Sequence, residues 1–367
     1  MIRQILPLLL TAASTLQTLP PVEWPGSENT PSFGFSISAA PKIVYINEKL
    51  SERKTFLSDL EQVTGTKWTL ERIKEVPEDA KGIILGVFRQ DADALTYEDG
   101  TKTEEAYELE IKDDNVFIGG TDARGMYWGT HTFLQLLLVH GEKEIPAGRI
   151  VDAPSYATRG YLLDVGRKWY SPSFLKELCT YASFFKMSEF QYHNSDNYPL
   201  NRGRNETWNE VYSQFALHPE SEELHGIVQR ANETFSRADF EDMQQHCARR
   251  GVTIISEIEA PGHCLFLTKW KPELALAKKD LSNLTHPESI PLVKSIWAEF
   301  LPWFQTKEVH AGADEYDPTL ADDYIQFANE MAEFVKSTSR KDIRIWGTHE
   351  PSENFTLSKD IIIQHWQ

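Results

Sequence analysis

The sequence predicts an α/β protein: a (β/α)8 TIM-type barrel, truncated after about six strands and preceded by a small α+β domain. Three observations carry this. From residue 160 onward, short apolar runs alternate with stretches of helical period, the pattern of a parallel sheet wound by crossovers. The long polar loops follow strands rather than helices, which in a barrel puts them on the face that carries chemistry. Between residues 40 and 150 the rhythm differs, with a hairpin pattern and one long apolar helix.

Residues 1–20 read as a secretory signal peptide: Arg3, then an apolar run at 5–10, then Ala12 and Ala13. The run is too short to span a bilayer; a buried apolar N-terminal segment is the alternative. Residues 21–40 are an irregular lead-in rich in Pro, Gly and Ser. Residues 41–152 form the α+β domain. It has a strand at 42–46, a helix at 51–63 with Phe56, Leu57, Leu60 and Val63 on one face, and a buried strand at 82–87. A hairpin at 107–120 turns around Lys112-Asp113-Asp114, and a helix spans 122–139.

Residues 153–367 form the barrel. Strands are expected at 160–165, 189–193, 252–258, 308–313, 343–346 and 361–366, with helices at 172–186, 237–250, 288–304 and 319–336. Pro172 suits a first helical turn. A closed barrel needs eight strands, so six followed directly by the chain's end read as a truncation that leaves two sheet edges open.

The 367 residues carry a formal net charge of -18, which repels phosphates and excludes nucleic acid or an anionic membrane as natural partners. Sequons at Asn205, Asn232, Asn283 and Asn354 agree with secretion into an extracellular or secretory-lumen setting. Three cysteines are too few for a disulfide scaffold, and an odd count leaves at least one thiol unpaired within the chain. Cys179 and Cys247 lie on apolar helix faces, so the default reading is buried small hydrophobes.

The stretch 309–315 ends in two adjacent carboxylates, Asp314 and Glu315, at the carboxyl end of a strand. An acidic turn is the plain alternative. Arg167 follows the first barrel strand, Asp196 the second, and His263 a Pro261-Gly262 turn after the third. Trp346 and Trp366 close the last two. Each has an ordinary alternative: a surface ion pair, a structural histidine, core packing. His193 and His310 also sit at strand ends.

Four segments, 159–167, 193–196, 257–263 and 310–315, in this order resemble glycoside hydrolase family 20, the β-N-acetylhexosaminidases, and the 40–150 region resembles the small domain that precedes that family's barrel. The resemblance implies a retaining, substrate-assisted hydrolase of terminal non-reducing β-linked GlcNAc or GalNAc. Its partners would be chitooligosaccharides or glycoconjugate glycans, with no cofactor and no metal; a homodimer is left open. It implies Glu315 as general acid/base and Asp314 as the carboxylate that orients the substrate's acetamido group. Two adjacent carboxylates push their pKa values apart, which helps keep one protonated. By the same resemblance His263 and Asp196 support the acid, Arg167 and Glu259 bind substrate, and Trp346 and Trp366 wall the sugar pocket. Lys168, Asn197 and Glu259 depart from the residues usual at their positions (His, Asp and Asp). Two other readings stand beside this one: a catalytically inactive or impaired truncated relative that at most binds N-acetyl sugars, and a metal-dependent barrel hydrolase using His193, His263, His310 and Asp314. Successive strand residues face opposite ways, so Asp314 and Glu315 can share a site only if the backbone turns there.

Overall fold

The computed structural model describes residues 18–22, 24, 34–50, 55–78, 80–89, 95–141, 144–201, 204–347 and 352–366. The expected signal peptide falls almost wholly outside these residues. By contacts the chain divides into two compact units. The first comprises residues up to Arg159 with Leu178–Ser188 and Arg249–Val252; the second comprises Gly160–Glu177, Glu189–Ala248 and residues from Thr253 on.

The first unit is a six-stranded mixed sheet ordered β2-β1-β3-β5-β4-β6. Its strands are β1 (Ile43–Asn47), β2 (Thr69–Ile73), β3 (Ile83–Val87), β4 (Tyr107–Lys112), β5 (Asn115–Gly120) and β6 (Gly148–Asp152). The β4–β5 hairpin closes on Asp113 and Asp114, both at positive φ (50° and 58°), as a two-residue turn matched to strand twist requires. Helices α1 (Thr55–Thr64) and α2 (Ala123–His140) supply the layer that buries Val44, Ile46, Leu60, Leu85, Ile118, Met126, Phe133 and Leu137 together. Strands β2 and β6 are the two the sequence did not disclose. Both are edge strands with charged residues among few apolar ones, a usual composition for an edge, and it hides the strand pattern.

The second unit holds a six-stranded, wholly parallel sheet in sequential order, β7-β8-β11-β12-β13-β14. The strands are β7 (Gly160–Asp164), β8 (Glu189–His193), β11 (Thr253–Glu257), β12 (Glu308–His310), β13 (Asp342–Trp346) and β14 (Ile362–Gln364). Helices α3 (Pro172–Phe184), α4 (Arg237–Arg249), α6 (Ser289–Phe300) and α7 (Ala321–Ser339) lie between successive strands from β7 to β13, and a one-turn helix α5 (Leu265–Thr268) follows β11. All six strands fall where the sequence put them, though β12 and β14 are shorter, and Trp366 lies beyond the end of β14. The loop after β8 adds a small antiparallel pair, β9 (Ser195–Asn197) with β10 (Ser213–Phe215), whose polar residues give no strand signal. Among the described residues, β7 and β14 are the sheet's edges.

The cysteine expectation is corrected in part. Cys179 and Cys247 are buried as expected, but each is disulfide-bonded rather than a thiol, and Cys264 is the buried free thiol. A native disulfide typically contributes about 2–4 kcal/mol, largely by constraining the unfolded chain.

Candidate active site

Register places the chemistry. Asp164, His193, Glu257 and His310 end β7, β8, β11 and β12 and are paired neighbour to neighbour across the sheet. Trp346 ends β13. Five strands thus present a polar or aromatic side chain at their carboxyl ends, the face a barrel uses for catalysis. Above them opens a cavity of about 800 Å³ whose lining includes Arg167, Asp196, His263, Asp314, Glu315, Trp346 and Trp366.

The condition on Asp314 and Glu315 is met. Strand β12 stops at His310, and the next residues turn: Gly312, Ala313 and Glu315 all have positive φ (65°, 63° and 49°). Both carboxyl groups therefore reach one cavity. Gly312 is required for a second reason, because a Cβ there would meet the Glu259 carboxylate at 1.9 Å. The Glu259 Oε1 accepts the Ala313 amide at 2.9 Å and so fastens the turn from behind.

His263, at φ 47° after the Pro261-Gly262 turn, bridges the acidic groups. Its Nε2 lies 3.3 Å from Glu315 Oε2 and 3.9 Å from Asp314 Oδ2, and its Nδ1 3.4 Å from Asp196 Oδ1. Burial would lower its pKa, but Glu315, Asp196 and Asp314 outweigh that and raise it. Asp196 is buried and also takes Arg167 Nη2 at 2.9 Å and His193 Nε2 at 2.7 Å. Arg167 is further held by Asp164 at 2.8 Å and by donating to the Asn197 carbonyl at 2.9 Å. Of its five N–H donors, at least one on Nη1 remains for a ligand.

The two adjacent carboxylates are pushed apart, but not in the order an acid at Glu315 suggests. Burial, with Glu257 and Asp196 adding to it against His263, raises Asp314. Glu315, half exposed, is held below the usual range chiefly by its contact with His263. Deeper in, burial and the charges of Asp314, Glu257 and Asp196 raise Glu259 well above the usual range. Its side chain has no exposure and does not line the cavity, so it lies behind the site and not where a sugar contact would need it.

Trp346 stands half-buried at the cavity wall, its indole N–H donating to Glu257 at 2.7 Å. Trp366, two residues beyond β14 and 42% exposed, lies 6.4 Å from it between ring centroids. Among the described residues, three side-chain groups have donor atoms close enough to share a cation: Asp164–His193–Asp196, His193–Glu257–Glu259 and His263–Asp314–Glu315. In the first, the Arg167 guanidinium already occupies the space between the carboxylates, and His193 directs both ring nitrogens at acidic groups. Sequence reasoning missed the Glu257 position, and also Tyr198, Leu200, Lys278 and Asp280 in the cavity lining. These lining residues come from loops without periodicity. Glu257 was visible as the first residue of the 257–263 segment, near the end of the strand expected at 252–258.

Two family models match the chain: the glycosyl hydrolase family 20 catalytic domain over residues 156–323, and domain 2 of that family over residues 21–153. Among curated proteins it is 23% identical to β-hexosaminidase subunit A1 of Dictyostelium discoideum, over 90% of this chain and 64% of that protein. It is 25% identical to lacto-N-biosidase of Bifidobacterium bifidum, over 74% of this chain and 25% of that one. The chain thus spans between a quarter and just under two thirds of these relatives' length. Among solved structures, a β-hexosaminidase of Streptomyces plicatus in complex with GlcNAc superposes with a TM-score of 0.74, covering 95% of this chain and 68% of that one at 16% identity. A β-N-acetylhexosaminidase of Bacteroides fragilis gives 0.71, covering 95% and 69% at 17% identity. With both of its domain models matched in order and the barrel face built as described, the chain belongs to glycoside hydrolase family 20.

Proposed function

We propose that the protein hydrolyses terminal non-reducing β-linked N-acetylhexosamine, with retention, by substrate-assisted catalysis. The observation that carries this is the turn at residues 312–315, which brings two adjacent carboxylates into one cavity beside an indole wall. In the reaction the substrate's acetamido oxygen attacks C1 as the C1–O bond breaks, and Glu315 gives its proton to the departing oxygen. Asp314 holds the acetamido N–H as positive charge develops there. Its buried carboxyl is ionised at some cost, so the growing charge is stabilised more strongly than in water. Water then opens the cyclic intermediate at C1 while Glu315 takes a proton back; two inversions give net retention. Arg167 offers its free N–H to a sugar hydroxyl, and Trp346 and Trp366 cover apolar faces of the ring and its methyl.

Assaying release of nitrophenol from an aryl β-N-acetylglucosaminide, with an aryl β-glucoside as control and with and without chelator, tests this. Turnover is expected on the first substrate only and unchanged by chelator. Equal turnover on the glucoside would exclude an acetamido nucleophile. A folded chain that binds GlcNAc without turnover would favour the impaired relative.

We also propose that the protein matures in an oxidising secretory compartment, as its disulfide supports. Asn232 and Asn354 are exposed, Asn283 is half-buried, and Asn205 is half-buried with its side chain bonded to the backbone at Ala277 and Lys279. Secreted from a eukaryotic host, the protein should lose mass on endoglycosidase treatment through Asn232 and Asn354, and Asn205→Gln should leave that loss unchanged. Absence of any mass change would count against this route.

A further inference from the structure

One buried carboxylate lies under the cavity and outside the reaction as described so far. Glu257 has no exposure, and four side chains converge on it. Its Oε1 accepts the Trp346 indole N–H at 2.7 Å and lies 3.3 Å from His310 Nδ1. Its Oε2 accepts Gln191 Nε2 at 2.7 Å and forms an ion pair with His193 Nδ1 at 2.6 Å. That last contact is not aligned as a hydrogen bond, so it acts by charge. The opposite nitrogen of the same ring faces Asp196 at 2.7 Å. An imidazole between two carboxylates is best satisfied as a cation with a proton on each nitrogen.

We propose that Glu257 is a positioning residue for the sugar site: one carboxylate oxygen fixes the Trp346 indole at the cavity wall, and the other, through a cationic His193, locks Asp196 between Arg167 and His263. This deepens the proposed function and rests on that reading of the cavity. The chain of contacts then runs Glu257–His193–Asp196–His263–Glu315, from beneath the sheet end to the acid. The acidic groups facing His193 are Asp164 from β7, Asp196 from β9 and Glu257 and Glu259 from the β11 segment. Burial opposes a charge on His193, yet Glu257 and Asp196 raise it well above the ordinary histidine value. Burial likewise opposes ionisation of Glu257, and His193 and His310 bring it well below the carboxylate range.

The test uses the full chain labelled with 15N. At pH 8 the wild-type His193 ring should carry both protons, and the Trp346 indole N–H should resonate as one bound to a carboxylate. In Glu257→Gln the Trp346 signal should move and His193 should lose a proton below pH 8. In the same variant kcat on an aryl β-N-acetylglucosaminide should fall on the order of 10- to 100-fold with a smaller change in KM, and Glu257→Asp should recover part of it. Unchanged Trp346 and His193 signals in Glu257→Gln overturn the proposal. Should that variant fail to fold, the wild-type spectrum decides, because a neutral His193 at pH 8 overturns it equally. A wild type with both signals as expected but no turnover overturns the hydrolase reading and leaves Glu257's positioning of these groups supported.

Discussion

Glu315→Gln is expected to lower kcat on an unactivated β-linked N-acetyl disaccharide by roughly 10²–10⁴-fold, the range for loss of a positioned acid. On an aryl glycoside with a good leaving group the loss should be much smaller for bond cleavage, since that departure needs little protonation. The side chain is 54% exposed at the mouth of the cavity and touches His263, so the amide replaces it without disturbing the core. The wild-type pH profile carries a second expectation. His263 holds the Glu315 carboxyl below the usual range in the free protein. A sugar seated over it removes water and disfavours the charged form, raising the pKa. Activity through a protonated acid is lost as pH rises past that pKa. Because kcat/KM reports the free protein and kcat the complex, the basic limb of kcat should lie at higher pH than that of kcat/KM. Coincident limbs, or a Gln variant as active as wild type on the disaccharide, would remove Glu315 from this role.

Much of this site was legible because its signal is local. Strand ends, the Pro261-Gly262 turn and the Asp314-Glu315 pair can be read one segment at a time, and a parallel sheet in sequential order brings those ends together without further information. What was not legible depends on long-range placement. Glu259 sits two residues from Glu257 at a strand end, and nothing in the sequence says that it packs behind Gly312 and not into the cavity. The Cys179 and Cys247 positions looked like ordinary apolar helix positions, because a half-cystine and a buried thiol occupy the same kind of face. The order of the two pKa shifts was likewise hidden. It follows from Asp314 being buried and Glu315 being exposed beside His263, and adjacency in the chain says nothing about either. The edge strands β2 and β6 escaped for the opposite reason: their patterns are local but carry the charge that edges need.

Asp314→Asn isolates the second half of the mechanism. The amide keeps the size of the side chain and removes the charge that meets the acetamido N–H. It also inverts the local requirement, since an amide presents both an acceptor and donors where a carboxylate only accepts. In the ground state the acetamido group is neutral, so binding of GlcNAc should weaken little. Positive charge appears on its nitrogen only as the carbonyl oxygen bonds to C1, and there the missing carboxylate should cost on the order of 10²–10³-fold in kcat, the range for one electrostatic partner in a partly dry site. The loss should therefore fall on kcat with KM nearly constant, the mark of an interaction made in the transition state. Removing Asp314 also relieves like-charge repulsion on Glu259, whose carboxyl is raised in part by Asp314. The turn behind the site should not loosen as a result, and unfolding midpoints of variant and wild type should agree closely. A variant that loses KM and kcat together, or that melts well below wild type, would place Asp314 in the framework of the turn and not opposite the nucleophile.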